Sequence, residues 1–186
     1  GSWRAHMEIR DWLALDWPAT YLQVMLDAMR ELVKELPVQL VLKVHPAERL
    51  QATAKPSPWM ERWLPELNRQ PYPIGLIASG WTQPWMLAPC DAVVCIESNV
   101  GVESLLLDRP VITMRFPEIP LDQSAWLFGE DDPVLAVASR GELTDALFQV
   151  LNNRAFRDEL AVSRPASQRK FNHLHDGHAT ERVAAL

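Results

Sequence analysis

Cysteine is scarce in this chain, and long apolar runs are missing. Only Cys90 and Cys95 occur in 186 residues. We read both as reduced and structural, and Cys95 falls in an apolar stretch where a thiol behaves as a small hydrophobe. Neither a secretory signal nor a run of membrane-spanning length is present, which points to the cytoplasm. No Gly-x-Gly-x-x-Gly or Walker-type loop occurs, which disfavours dinucleotide oxidoreductases and P-loop enzymes. A Gly-x-Ser-x-Gly elbow is also lacking, and a hydrolase built on Ser98 would need a placed histidine and acid for which there is no pattern. Excess positive charge is absent too. The net charge of −6 argues against non-specific nucleic-acid binding, which depends on neutralising several phosphates. Internal repeats, low-complexity tracts and heptads do not appear.

What is present is ordinary globular composition, 48% hydrophobic and 23% charged, in a chain long enough for one domain with a substantial core. Gly1-Ser2 and His6-Met7 look vector-derived, so residues 1–7 are set aside. Residues 8–186 are expected to form a single Rossmann-like domain and to be a fragment of a longer protein. Apolar residues 12–17 read as a strand closed by Pro18. Leu22, Met25, Leu26, Met29, Leu32 and Val33 recur at three and four, predicting a helix over 21–36 that Pro37 stops. Residues 38–44 read as a central strand covered on both faces. Further helices are expected over 58–69, about 100–107, 141–151, 156–162 and 179–186, with strands at 74–78, 92–96, 111–114 and 134–138. Strands alternating with helices predict an α/β fold, a Rossmann-like doubly wound parallel sheet of five or six strands.

In such sheets ligands sit at the carboxyl ends of the strands. The run Ala92 to Ile96 breaks there into Glu97, Ser98 and Asn99, followed by a helix whose first-turn amides could hold an anion. Ser98 and Asn99 are good N-cap residues, and capping is compatible with ligand binding. Gly101 has no side chain to block a phosphate. Glu103 is five residues beyond Ser98, whereas a capping box needs three. Its carboxylate suits the hydroxyls of a ribose; the other reading is a surface acid favoured by the helix dipole.

A second corner is Lys43-Val44-His45-Pro46, where a two-residue period puts Lys43 and His45 on one side of a strand. His45 can donate to a phosphate and, protonated, offset charge on a leaving nucleotide; the alternative is a strand-end histidine satisfied by a carbonyl. Trp17 with Thr20, and Trp81, each follow predicted strands and are further ligand-contact candidates, whereas Trp59, Trp63 and Leu67 read as packing on one helix face. His173, His175 and His178 lie in a polar segment without a nearby cysteine, so no metal site is assigned to them, and no cofactor is expected.

Lys43-Val44-His45-Pro46, the Glu97-Ser98-Asn99 corner, Gly101 to Leu107 with Pro110-Val111-Ile112, and the ending Asp176 to Arg182 together resemble the carboxyl-terminal half of GT-B glycosyltransferases. The similarity is greatest to the branch with capsule-polysaccharide transferases, CDP-glycerol glycerophosphotransferases and CMP-sialic acid transferases. The resemblance implies that His45 and Ser98 contact the donor phosphate and that Glu103 holds the ribose. It implies a nucleotide-activated sugar (CMP-, CDP- or UDP-linked) as ligand and an amino-terminal acceptor domain that supplies the catalytic base. It also implies a role in bacterial capsule or lipopolysaccharide synthesis at the inner face of the cytoplasmic membrane, with peripheral association and no nucleic-acid partner. Two departures stand out: Ile96-Glu97-Ser98-Asn99 replaces the Asp-Tyr-Ser-Ser of CDP-glycerol enzymes, and Asp108-Arg109 replaces the glycine before the last Pro-Val-Ile strand. The alternatives are a UDP-N-acetylglucosamine 2-epimerase-like enzyme and a non-catalytic GT-B-like interaction or nucleotide-sensing domain.

Overall fold

The computed structural model describes residues 17–43, 58–77, 84–96, 98–117, 126–171 and 176–185. The chain divides into two compact units, Gly1–Thr82 and Gln83–Leu186. Both are α/β, and every strand pairing described in them is parallel.

The first unit contains α1 (Trp17–Leu32), β1 (Leu40–Lys43), α2 (Pro58–Leu67) and β2 (Ile74–Ile77). The apolar stripe of α1 is buried at Leu22, Met25, Leu26, Met29 and Leu32. Burial of each such side chain contributes about 1.5–3 kcal/mol, far more than intrinsic propensity, and this is what makes the segment helical. Its beginning differs from the sequence expectation. Trp17 is the first helical residue rather than the end of a strand, and Pro18 lies in the first turn. A proline there loses nothing, because first-turn amides have no intrahelical acceptor. Leu36 N–H still reaches the Leu32 carbonyl at 2.9 Å before Pro37 ends the turn.

Polar contacts tie α1 to its neighbours. Arg30 donates to Glu66 at 2.5 Å, Asp27 at 2.6 Å and Gln70 at 2.8 Å, while the buried Tyr72 hydroxyl donates to the Leu26 carbonyl at 3.1 Å. Burial pushes the Tyr72 hydroxyl up to about 12, which keeps it a donor. On α2, Trp63 and Leu67 are buried one turn apart, as the spacing predicts. β1 departs from the doubly covered strand expected of its sequence. Among the described residues it pairs only with β2, in the register Leu40↔Ile74 to Lys43↔Ile77, and Val41 is 47% exposed.

The second unit contains α3 (Pro84–Leu87), β3 (Val93–Cys95), α4 (Asn99–Leu106), β4 (Val111–Met114), β5 (Val134–Val137), α5 (Arg140–Asn152), α6 (Arg154–Phe171) and α7 (Ala179–Ala184). The sheet order is β3-β4-β5. Central β4 has all four residues buried, as its unbroken Val-Ile-Thr-Met demands. α4 packs on β3 and β4, α5 on β4 and β5, and α6 on both α4 and α5.

The sequence predicts a helix over 156–162, but α6 runs on through Pro165 to Phe171. Tertiary contacts along its last two turns explain the extension. Ser167 Oγ donates to Asp132 Oδ1 at 2.7 Å, and Lys170 pairs with Asp132 Oδ2, which also accepts Gly129 N–H at 2.8 Å. Arg164 Nη1 and Gln168 Nε2 donate to the Asp108 and Leu105 carbonyls, each at 3.0 Å, and so hold the carboxyl end of α4.

A candidate ligand corner at the strand carboxyl ends

The register Cys95↔Thr113 and Met114↔Val137 brings the carboxyl ends of β3, β4 and β5 to one edge of their sheet. Ser98 leaves β3 in extended conformation (φ −124°, ψ 147°) and is the N-cap of α4, its Oγ accepting Val100 N–H at 3.3 Å. Gly101 N–H donates to the Ser98 carbonyl at 2.8 Å. The cap thus forms where the residue types predict it, and two of the amides that an anion could use already have partners in the corner. The 3.3 Å bond is long enough to be a weak one.

Gly101 corrects the expectation attached to it. The space beside its Cα is not open to a phosphate. A Cβ there would stand 2.8 Å and 3.0 Å from Cζ and Cε2 of Phe128 and 3.0 Å from Cys95 Sγ. The glycine instead permits close approach of helix, strand and the β4–β5 connection, the packing role that glycines also play in nucleotide-binding turns. Ser104 is buried on the same side and donates to the Val100 carbonyl at 2.6 Å.

Asn99 and Glu103 are exposed. They lie one turn apart and therefore share the outer face of α4. A ligand carrying hydroxyls could reach Glu103 from that side. Lys43, half-buried, closes β1 level with Ile77, the last residue of β2; it belongs to the first unit and the Ser98 corner to the second. Thr20 is exposed near the start of α1, and Trp17 opens that helix. His45, Trp81 and Glu97 lie outside the described residues, as do His173 and His175.

Three residues that the sequence patterns did not single out belong to this edge. Arg115 is the first residue beyond β4, its N–H donating to the Val137 carbonyl at 2.8 Å. Its Nη2 donates to the Phe128 carbonyl at 2.6 Å, and its guanidinium lies 4.1 Å from the centroid of the Trp126 ring. Phe128 is buried, meets Phe171 edge-on at 5.8 Å and seats against Gly101. The rule that points to Ser98, a polar residue just past a buried strand, also points to Arg115. Phe128 and Trp126 carry no such signal, because only the fold returns their loop to the sheet.

Other features do not build a site. A shallow depression of about 540 Å³ in the first unit is lined by residues 33–39 and 71–73. It sits at the amino ends of β1 and β2, opposite the edge where parallel sheets hold ligands. Among the described residues no three His, Cys, Asp or Glu side chains are grouped to hold a metal. His178 Nδ1 instead lies 2.9 Å from Glu181, and His178, whose N–H donates to Asp176 at 3.0 Å, is itself the N-cap residue of α7. Cys95 is buried, and the Cys90 thiol, pushed up by burial and by neighbouring Asp91, donates to the Met86 carbonyl. Neither cysteine resembles a nucleophile. No helix among the described residues is long and apolar enough to cross a membrane.

A parallel α/β chain with a capped polar corner at the sheet's carboxyl edge is the class that these observations define. The sequence profile of the family described as "Capsule polysaccharide biosynthesis protein" matches residues 18–117. The chain belongs to that family. The match begins in α1 and ends just beyond β4, so it takes in both Lys43 and the Ser98 corner. No curated protein matches the chain. A solved structure titled "Crystal Structure of TarM" aligns with a TM-score of 0.49 and 13% identity over 84% of this chain. The chain spans about a third of that protein's length, the aligned share being 32%.

Proposed function

We propose that this chain is the donor-binding half of a GT-B glycosyltransferase that builds a surface polysaccharide, and that its ligand is a pyrimidine-nucleotide-activated sugar. The observation that carries the reading is the Ser98-capped corner of α4 at the carboxyl edge of β3 and β4, in a chain of the capsule polysaccharide family. On this reading Ser98 and the amino end of α4 face the donor phosphate. Glu103, exposed on the outer face of the helix, accepts from the ribose hydroxyls. The family resemblance gives His45 the role of offsetting the charge on the departing nucleotide, with Lys43 as a further phosphate-binding residue. The acceptor and the catalytic base belong to a separate acceptor domain.

One observation favours a second reading. Because the Val100 and Gly101 amides have partners, the corner is also stable as a simple cap, as in a non-catalytic relative of the same fold. Calorimetric titration with CMP, CDP and UDP separates the two. The donor reading expects saturable binding, with ribonucleotides favoured over their 2′,3′-dideoxy forms and that preference lost in Glu103→Gln. Absence of binding by all three nucleotides at millimolar concentration sinks it.

A further inference from the structure

We propose that Asp132 is a positioning residue for the donor site: by fixing Phe128 beneath the first turn of α4, it holds the Ser98 corner in the shape that takes the donor phosphate. The inference rests on the donor-binding reading above and adds to it a buried acid that lies outside the corner itself.

The clamp is built on the end of α6. Asp132 and Ser167 are both buried. One carboxylate oxygen accepts from Ser167 Oγ at 2.7 Å, and the other accepts from Lys170 Nζ and from Gly129 N–H, the latter at 2.8 Å. The Gly129 amide is part of the peptide group that joins it to Phe128, so the acid holds the backbone of Phe128 directly. The carbonyl of the same peptide group accepts Arg115 Nη2 at 2.6 Å. Phe171, next to Lys170, meets the Phe128 ring edge-on at 5.8 Å. One helix end thus grips both the backbone and the ring of a single residue.

What Phe128 reaches is the corner. Its Cζ lies 2.8 Å from where a Gly101 Cβ would stand, and Gly101 N–H closes the first turn of α4 on the Ser98 carbonyl at 2.8 Å. The rest of that core cluster is apolar, with Cys95, Leu105 and Val111. Apolar contacts are not directional and let a ring slide, whereas hydrogen bonds to a buried carboxylate permit one placement. A ring that slid would carry with it the turn that bears Ser98 and the amides beside it. A buried carboxylate costs desolvation that its partners offset, and what it adds over an apolar side chain is a unique geometry.

The test titrates CDP into wild type, Asp132→Asn and Val150→Ala under conditions where all three are folded, and follows the Val100 and Gly101 amides by NMR. Val150 is buried in α5, outside the cluster around Phe128, so its truncation lowers stability without removing a bond of the clamp. Asp132→Asn should bind CDP about three- to thirtyfold more weakly, with shifted Val100 and Gly101 signals, while Val150→Ala keeps the wild-type affinity and both wild-type signals. Wild type that binds no CDP overturns the donor reading and this inference with it. Wild type that binds CDP while Asp132→Asn binds it within twofold, or loses affinity with both amide signals in place, overturns only the role of Asp132, as does an equal loss in Val150→Ala. Should Asp132→Asn fail to fold, Lys170→Met decides, because it removes the cation of the clamp from a half-exposed position. Loss of affinity with shifted signals then supports the proposal, whereas wild-type affinity, unshifted signals or a second failure to fold overturns it.

Discussion

At Gly101 the absence of a side chain is required by packing, because Phe128 and Cys95 occupy the room a Cβ would need. Gly101→Ala should therefore destabilise the fold by about 1–3 kcal/mol, the usual cost of overpacking. That cost should shrink by about 1 kcal/mol in a Phe128→Leu background, where the ring no longer reaches the new methyl. Urea unfolding of the two single variants and the double variant checks this; strict additivity would sever the Gly101–Phe128 link. Asp132 makes a second residue-scale case. Burial alone would raise its carboxyl pKa, but Lys170, Ser167 and the Gly129 amide outweigh burial and hold it below its ordinary value. A carboxylate with a depressed folded-state pKa contributes stability that is fully present above the unfolded value, near 4, and is lost as pH falls through the lower folded one. Asp132→Asn should thus cost about 1.5–3 kcal/mol at pH 7, since it weakens the charge-assisted bonds that the buried carboxylate accepts from Ser167, Gly129 N–H and the half-exposed Lys170, and progressively less below pH 4. Paired urea titrations at pH 7 and pH 3 measure the difference. The acid is plain in the sequence, but its buried role is not, because Ser167 and Lys170 come from 35 and 38 residues away.

Elements were most legible where burial and periodicity agree. The stripe of α1 and the unbroken apolar β4 lie within a few residues of their sequence-derived positions. Departures occur at two prolines: Pro18, read as closing a strand, lies in the first turn of α1, and Pro165 is carried inside α6, beyond the expected helix end at 162. In the second case side-chain contacts to Asp132 and to the end of α4 offset the missing amide. The end of α4 also explains an oddity of the family pattern. Asp108 takes a left-handed conformation (φ 58°). Its N–H bonds the Leu105 carbonyl at 3.1 Å, and Arg109 N–H bonds that of Ser104 at 2.9 Å, which together form a Schellman cap with aspartate where glycine is usual. Asp108 Oδ1 also accepts Gln168 Nε2 at 3.1 Å. Asp108→Gly should leave stability within about 0.5 kcal/mol, relief of the left-handed backbone offsetting the lost bond, whereas Asp108→Ala should cost about 1–2 kcal/mol. Thermal or urea midpoints of the two variants decide, and an alanine variant as stable as the glycine one would remove backbone strain from the explanation.

For the whole molecule, composition and pattern alone determined a parallel α/β chain with a polar corner after a buried strand, and the order of its motifs pointed to the family that matches residues 18–117. Ser98 was legible as a cap because capping is local: residue type and the neighbouring apolar run specify it within a few positions. Lys43 and His45 were legible as candidates for the same reason. The tertiary structure alone decided what closes around the corner. It paired β1 with β2 and joined β3, β4 and β5 in a separate sheet, turned the bare side of Gly101 toward Phe128, and set Arg115 between the Phe128 carbonyl and the Trp126 ring. Those relations join residues that no short spacing links. Periodicity records which face of an element is buried, whereas the identity of the group that fills that face depends on packing between distant parts of the chain.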